Sequence, residues 1–243
     1  MSDPTAYDTT ALDDAATAVT ALVDDIFVSL QSIASRTRAL WDDLDAAATA
    51  PSSAHLAALH DVVTGELQRQ GTRFNGAGLV VADGILADGG RYLQWWQRDS
   101  KRPDSAQPLH LDLNPNSEYF YDYTTMEWFA VPRDRGIRWV YGPYLDYTGV
   151  DLYVCTFAVP VTSTKGVFLG VAGADVPVAS IDAALLPTFT SGPHPVALAN
   201  SEGRVIVANH ADHVTGSKIR ARNTPGVRKV PDTPWSLIPL HTS

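Results

Sequence analysis

The sequence predicts an α+β fold: a long N-terminal helix, then an antiparallel sheet of five to six strands with its helices on one side. Three observations carry that expectation. Leu12, Val19, Ile26, Ile33 and Leu40 recur every seven residues, and Ala16, Val23, Leu30, Thr37 and Leu44 each follow four residues later. With no Gly or Pro between Pro4 and Pro51, this 4-3 alternation is the pattern of one long helix with an apolar stripe. Beyond Gly71 the texture changes to short apolar runs set between Gly, Asp and Ser turns. Trp139 to Tyr144, Leu152 to Val161 and Gly166 to Val176 follow one another with only turns between, which makes neighbouring strands antiparallel.

The first helix, from about Asp8 to Leu44, is roughly 55 Å long at the helical rise, longer than a compact domain needs. It either packs on its own domain or forms a dimer seam. Phe27 and Trp41 lie off the stripe and suggest that two faces are used, so a homodimer through this helix is expected. Ser52-Ser53 open a second helix ending near Gly71. Phe74 to Val81 and Tyr92 to Gln97 read as strands, and the polar, Pro-containing stretch from Ser100 to Pro108 as a loop. Residues 117–129 are aromatic-rich and read as a helical crossover with Tyr121, Thr125, Trp128 and Phe129 on one face. Gly149 and Ser163 to Gly166 mark hairpin corners. Ile181 to Leu186 is a short helix, and Val196 to Asn200 with Arg204 to Ala208 a hairpin. Pro225, Pro231, Pro234 and Pro239 argue against regular structure in the tail.

The 243 residues are 45% apolar, 19% charged and 9% aromatic, ordinary for a globular chain and too apolar for a disordered one. A formal charge of −9 repels nucleic acid and anionic lipid. The lone Cys155 excludes an intrachain disulfide and reads as inert core. Neither a secretory leader nor a long uninterrupted apolar run is visible, so the chain is expected to be cytoplasmic without a membrane span; an excised ectodomain would read the same way. Motifs for an acyl-transfer elbow, a P-loop, a dinucleotide fold or a zinc protease are missing, and no cofactor is expected. The basic stretch Lys218, Arg220, Arg222, Arg228 and Lys229 reads as a solvated tail.

This order of elements is the layout of PAS-like sensor modules. Tyr92 to Trp96, Tyr121 with Trp128 and Phe129, Gly142 to Asp146, Phe157 to Val161 and Gly170 to Val176 extend the likeness, and the hairpin Ala197 to Ile206 follows. Together they resemble the Cache family of sensor domains, in particular its double-Cache, amino-acid- and amine-binding branch, over roughly residues 10–220. The resemblance implies a pocket lined by Tyr121, Trp128, Phe129, Tyr144 and Asp175, with Asp175 receiving the ligand's ammonium group. Where the family's amino-acid binders carry the arginine that clamps the ligand carboxylate, this chain has Met126.

Without a guanidinium no fixed bidentate partner for a carboxylate exists. Aromatic faces and carboxylates together favour a small organic cation. The expected ligand is therefore a biogenic amine or polyamine, held by Tyr121, Trp128, Phe129, Tyr144, Asp146 and Asp175, with Trp96 and Glu127 further candidates. Trp95 and Trp96 are adjacent on a strand, so at most one faces the pocket. Each residue has a plainer role: the aromatics as core, Asp175 as a cap, Asp146 as turn chemistry, Glu127 as solvated surface. The alternatives are an amino-acid-binding Cache sensor, an enzyme acting on an amine with Asp175 or Asp146 as base, or a scaffold. The expected divisions are 1–72 for the two helices, 73–190 for the ligand-binding module and 191–243 for a hairpin and tail forming a truncated or partial second module. Output would pass through a separate partner protein.

Overall fold

The computed structural model describes residues 9–99, 102–146, 152–219 and 225–240. Helix α1 (Thr9–Ala46) leads through a 3-10 segment (Ser53–Leu59) into α2 (His60–Gln70). Strands β1 (Gly76–Val81), β2 (Leu93–Asp99) and β3 (Arg102–Pro108) follow, then α3 (Glu127–Arg135). Next come β4 (Trp139–Asp146), β5 (Leu152–Thr162), β6 (Phe168–Pro177) and α4 (Val178–Ser191). These six strands form one sheet in the order β3-β2-β1-β6-β5-β4, antiparallel throughout. The sheet is the predicted one, with β1 inserted beside β6. Strands β7 (Val196–Ala199), β8 (Val205–Ala208), β9 (Arg228–Lys229) and β10 (Ser236–Pro239) make a second sheet, ordered β8-β7-β10-β9.

The heptad stripe of α1 is spent on the chain's own core. Val19, Ile26, Ile33 and Leu30 are fully buried, and Leu12, Val23, Thr37, Leu40 and Leu44 nearly so. They pack on β5, β6 and α4, and Phe27 meets Phe157 edge-on at 5.4 Å. The surface read as a dimer seam is therefore the surface that holds the helix to its sheet. What α1 leaves outward is mostly polar: Asp13, Asp14, Thr17, Asp24, Gln31 and Ser35.

Three local expectations are corrected. Arg102 to Pro108 is a strand, not a loop: it lies at the sheet edge and pairs only with β2, where polar residues and proline are tolerated. The crossover helix begins only at Glu127. Upstream, the Asp122 carboxylate accepts the Thr124 amide (3.0 Å) and hydroxyl (2.6 Å), a local turn that competes with helix, so Tyr121 sits in a loop. In the tail, β10 forms despite its prolines, because Pro239 closes the strand that pairs with β7. The Gly149 corner, with Arg220 and Arg222 of the basic segment, lies outside the described residues. Arg228 of that segment pairs with Asp13 on α1 (3.2 Å).

Trp235, fully buried, fastens the second sheet to the first: its ring meets Phe157 edge-on at 5.6 Å, and Phe157 also carries α1. Truncating so large a core side chain leaves a cavity between sheets that cannot collapse. Trp235→Ala is expected to cost about 3–5 kcal/mol of unfolding free energy, measured by urea denaturation.

Candidate functional site

The main sheet has two faces, and strand alternation decides what each carries. Trp96 points to the α1 and α2 side, where its ring meets His60 at 5.3 Å in the larger core. Trp95 points the other way, into a second apolar cluster with Val80, Tyr123, Trp128, Phe129, Ala158 and Val171. On that side lies a cavity holding about 470 Å³ of space free of protein atoms, part of it open to solvent.

Five of the eight candidate residues line it: Tyr121, Trp128, Tyr144, Asp146 and Asp175. Three do not. Trp96 is on the opposite face for the reason given. Phe129 is fully buried one layer behind the wall, edge-on to Tyr123 (5.1 Å), Trp128 (6.0 Å) and Phe168 (5.8 Å). Glu127 is exposed at the start of α3, accepts the Trp139 indole N–H (2.9 Å), and faces a separate cleft between β4 and the β7–β8 turn. Asp122, on the same segment, pairs with Arg91 (2.5 Å).

Sequence reasoning missed Trp95, Thr156, Tyr123, Val80, Leu93, Leu109 and Leu111, which complete the lining. Alternation left Trp95 open as one of two choices. Thr156 carried no signal, since only the pairing of β5 with β6 sets it opposite Asp175.

The polar floor is built from that register. Thr156 donates to Asp175 Oδ1 (2.7 Å), and the Tyr144 hydroxyl lies 2.8 Å from Thr156 Oγ1. With the Thr156 proton directed at Asp175, Tyr144 is the donor in that second bond. Burial, reinforced by the neighbouring Asp146 charge, pushes the Asp175 carboxyl up to about 7, against the opposing pull of the Thr156 bond. Burial and then Asp175 raise the Tyr121 and Tyr144 hydroxyls as well, which keeps both protonated. Tyr123 is pushed up to about 12 by burial, and its hydroxyl donates to the Val81 carbonyl (2.7 Å).

Among the described lining residues none is basic. Met126 is packed against the aromatic cluster and is not one of them. Asp175 and Asp146, both buried, thus face a space walled by rings. Such a site is complementary to a protonated amine.

A family model described as methyl-accepting chemotaxis protein-like, first PDC sensor domain, matches residues 61–183. A search of curated proteins gives no match. Among solved structures, a methyl-accepting chemotaxis protein X is similar over 94% of this chain and 96% of its own, at 18% identity and a TM-score of 0.59. The ligand-binding domain of the Pseudomonas fluorescens chemoreceptor CtaA, in complex with L-valine, covers 97% and 93% at 16% identity, with a TM-score of 0.55. That of the Campylobacter jejuni chemoreceptor Tlp3, in complex with L-norvaline, covers 98% and 94% at 18% identity and 0.53. An extracellular domain assigned to a histidine kinase matches with a TM-score of 0.62 at 15% identity, over 93% and 89%.

These findings overturn the expected cytoplasmic location, since the family is one of receptor sensor domains and a domain of this fold is extracellular. That expectation also rested on seeing no apolar span. Thr10–Ala46 is long and apolar enough by length and composition to cross a membrane, although here its stripe is covered by the sheet. The ligands in those two chemoreceptor structures are amino acids.

Proposed function

This chain belongs to the family of methyl-accepting chemotaxis protein-like first PDC sensor domains, and from that premise we propose that its cavity binds a small amino acid through the α-ammonium group. The observation that carries the reading is Asp175, a carboxyl buried at the floor of an aromatic cavity with the buried Asp146 beside it. The ammonium would sit between these carboxylates, with Tyr121, Trp128 and Tyr144 as its walls. A cation there gains charge-assisted hydrogen bonds and ring-face attraction of about 0.5–2 kcal/mol per ring once water is excluded. An amine without a carboxylate is the second reading, and Met126 in place of the resemblance's arginine favours it.

We read the chain as a binding module rather than an enzyme, and place it outside the cytoplasm as in the receptors it resembles. Occupancy would be passed on through β5 and β6, which carry Thr156 and Asp175 on one face and bear α1 on the other. The sheet of residues 196–239 would be the partial second module that moves with them.

Titration calorimetry of the purified chain with L-valine, L-serine, L-norvaline and their decarboxylated amines tests this. Binding of at least one amino acid with a 1:1 stoichiometry supports the reading. Amine binding with no amino-acid signal turns the assignment to the second reading, and no binding by either set removes it.

Affinity should also depend on pH. An ammonium ligand selects ionised Asp175, so protons must leave the carboxyl before it binds. Below about 7 the affinity is expected to fall roughly tenfold per pH unit, and above it to level off. Calorimetry at pH 5, 6, 7 and 8 measures this, and a flat profile would remove Asp175 from contact with the cation.

A further inference from the structure

Trp95 holds a buried donor with nothing to donate to among the described residues. The residue is 6% exposed, its indole Nε1 has no hydrogen-bond partner among the described residues, and it lines the cavity. A buried N–H left unpaired costs free energy, so on a residue that lines a cavity a ligand's acceptor is the partner that would satisfy it. Trp128 presents a second buried indole N–H, but that one lies close enough to the Tyr121 hydroxyl to lower its pKa against the effect of burial.

The sheet beneath Trp95 is cleared for the ring. Gly78 on β1 is paired with Trp95 and with Gly173 on β6, and Gly76 on β1 is paired with Asp175. A methyl at Gly76 would stand 2.6 Å from Trp95 Nε1, and one at Gly173 would stand 3.4 Å from Cζ3. The indole therefore lies across the sheet over these glycines, with its N–H above Gly76. Paired residues project to the same face. The N–H thus stands beside the strand position of Asp175, about one strand spacing of ~4.8 Å away. A donor and a carboxylate so placed match the two charged groups that an α-amino acid carries on one carbon.

Resting on the amino-acid reading of the cavity, we infer that the Trp95 indole N–H receives the ligand's carboxylate oxygen, in the place of an arginine clamp. Trp95 is then a specificity residue that separates amino acids from amines. Because its donor is neutral and single, the discrimination is modest and tolerant of carboxylate geometry.

The test compares L-valine with isobutylamine, its decarboxylated counterpart, on the wild-type chain and on Trp95→Phe, which keeps a ring over the glycines and removes the N–H. A ten- to hundredfold loss of L-valine affinity, with isobutylamine affinity changed less than threefold, is the expected result. Equal losses for both, or none, overturn the Trp95 assignment while leaving the amino-acid reading intact. A wild-type chain that binds no amino acid overturns both. In case the variant does not fold, ¹⁵N–¹H spectra of the wild-type chain follow its six indole N–H signals. One should shift downfield on adding L-valine and stay in place with isobutylamine, and no such signal would overturn the assignment.

Discussion

Asp175→Asn is expected to weaken binding of an ammonium ligand by a hundredfold or more and to abolish the rise of affinity with pH. The carboxylate is buried and bonded to Thr156, and burial beside the Asp146 charge holds its proton equilibrium near 7. Removing it leaves the ligand's charge desolvated beside a neutral amide, a loss of about 3–5 kcal/mol for a broken buried pair, or more than a hundredfold. The same change should make the ligand-free domain more stable at high pH. An acid whose folded pKa is raised binds protons more readily in the folded state. Its contribution is therefore favourable at low pH, declines as pH rises from 3.8 towards about 7, and stays unfavourable above. The gap between those two values corresponds to a penalty on the order of 4 kcal/mol above pH 7. Thermal denaturation of the ligand-free wild type and Asp175→Asn between pH 5 and 8 checks the sign. A wild type that gains stability relative to the variant with rising pH would contradict it. Asp146, Tyr121 and Tyr144 also face this carboxyl, and the substitution leaves all three in place.

Gly78→Val is expected to prevent stable folding. Gly78 sits in the middle of the sheet, between Trp95 on β2 and Gly173 on β6. Even a methyl there would lie 2.1 Å from the Gln94 carbonyl oxygen and 2.7 Å from the Trp95 Cα, both backbone atoms that cannot swing aside. Relief requires parting β1 from β2, which breaks the ladder under the cavity, at a cost of about 4 kcal/mol or more. Gly65→Ala on α2 is the matched control. A methyl there meets nothing within 4 Å and replaces an exposed helical glycine, so stability should hold or rise by about 0.5–1 kcal/mol. Urea denaturation of both variants measures the contrast. A Gly78→Val chain with wild-type stability would mean that the sheet is not packed as described.

Periodicity is a local property, and what it governs was legible. The 4-3 repeat of α1, the hairpin runs of β4 to β6 and the turns at Gly166 and Gly203 are each set within a few residues, and each is where the sequence put it. The limits of that information show at Tyr121, where an Asx turn at Asp122 overrides a helical pattern, and at β3, where edge pairing makes a strand of a polar stretch. Resemblance singled out Tyr121, Trp128, Tyr144 and Asp175, and residue chemistry added Asp146, but neither explained why they meet.

The tertiary structure alone decided three things. It decided what covers the stripe of α1, since an apolar helix face is satisfied equally by a partner helix or by the chain's own sheet. It decided which tryptophan faces the cavity, since alternation gives two answers and only the pairing of β2 with β1 selects one. And it decided that Thr156 and the glycines of β1 belong with Asp175, because strand register joins residues tens of positions apart that share no local signal. The sequence by itself determined the elements and the chemical character of the site; long-range pairing determined its membership.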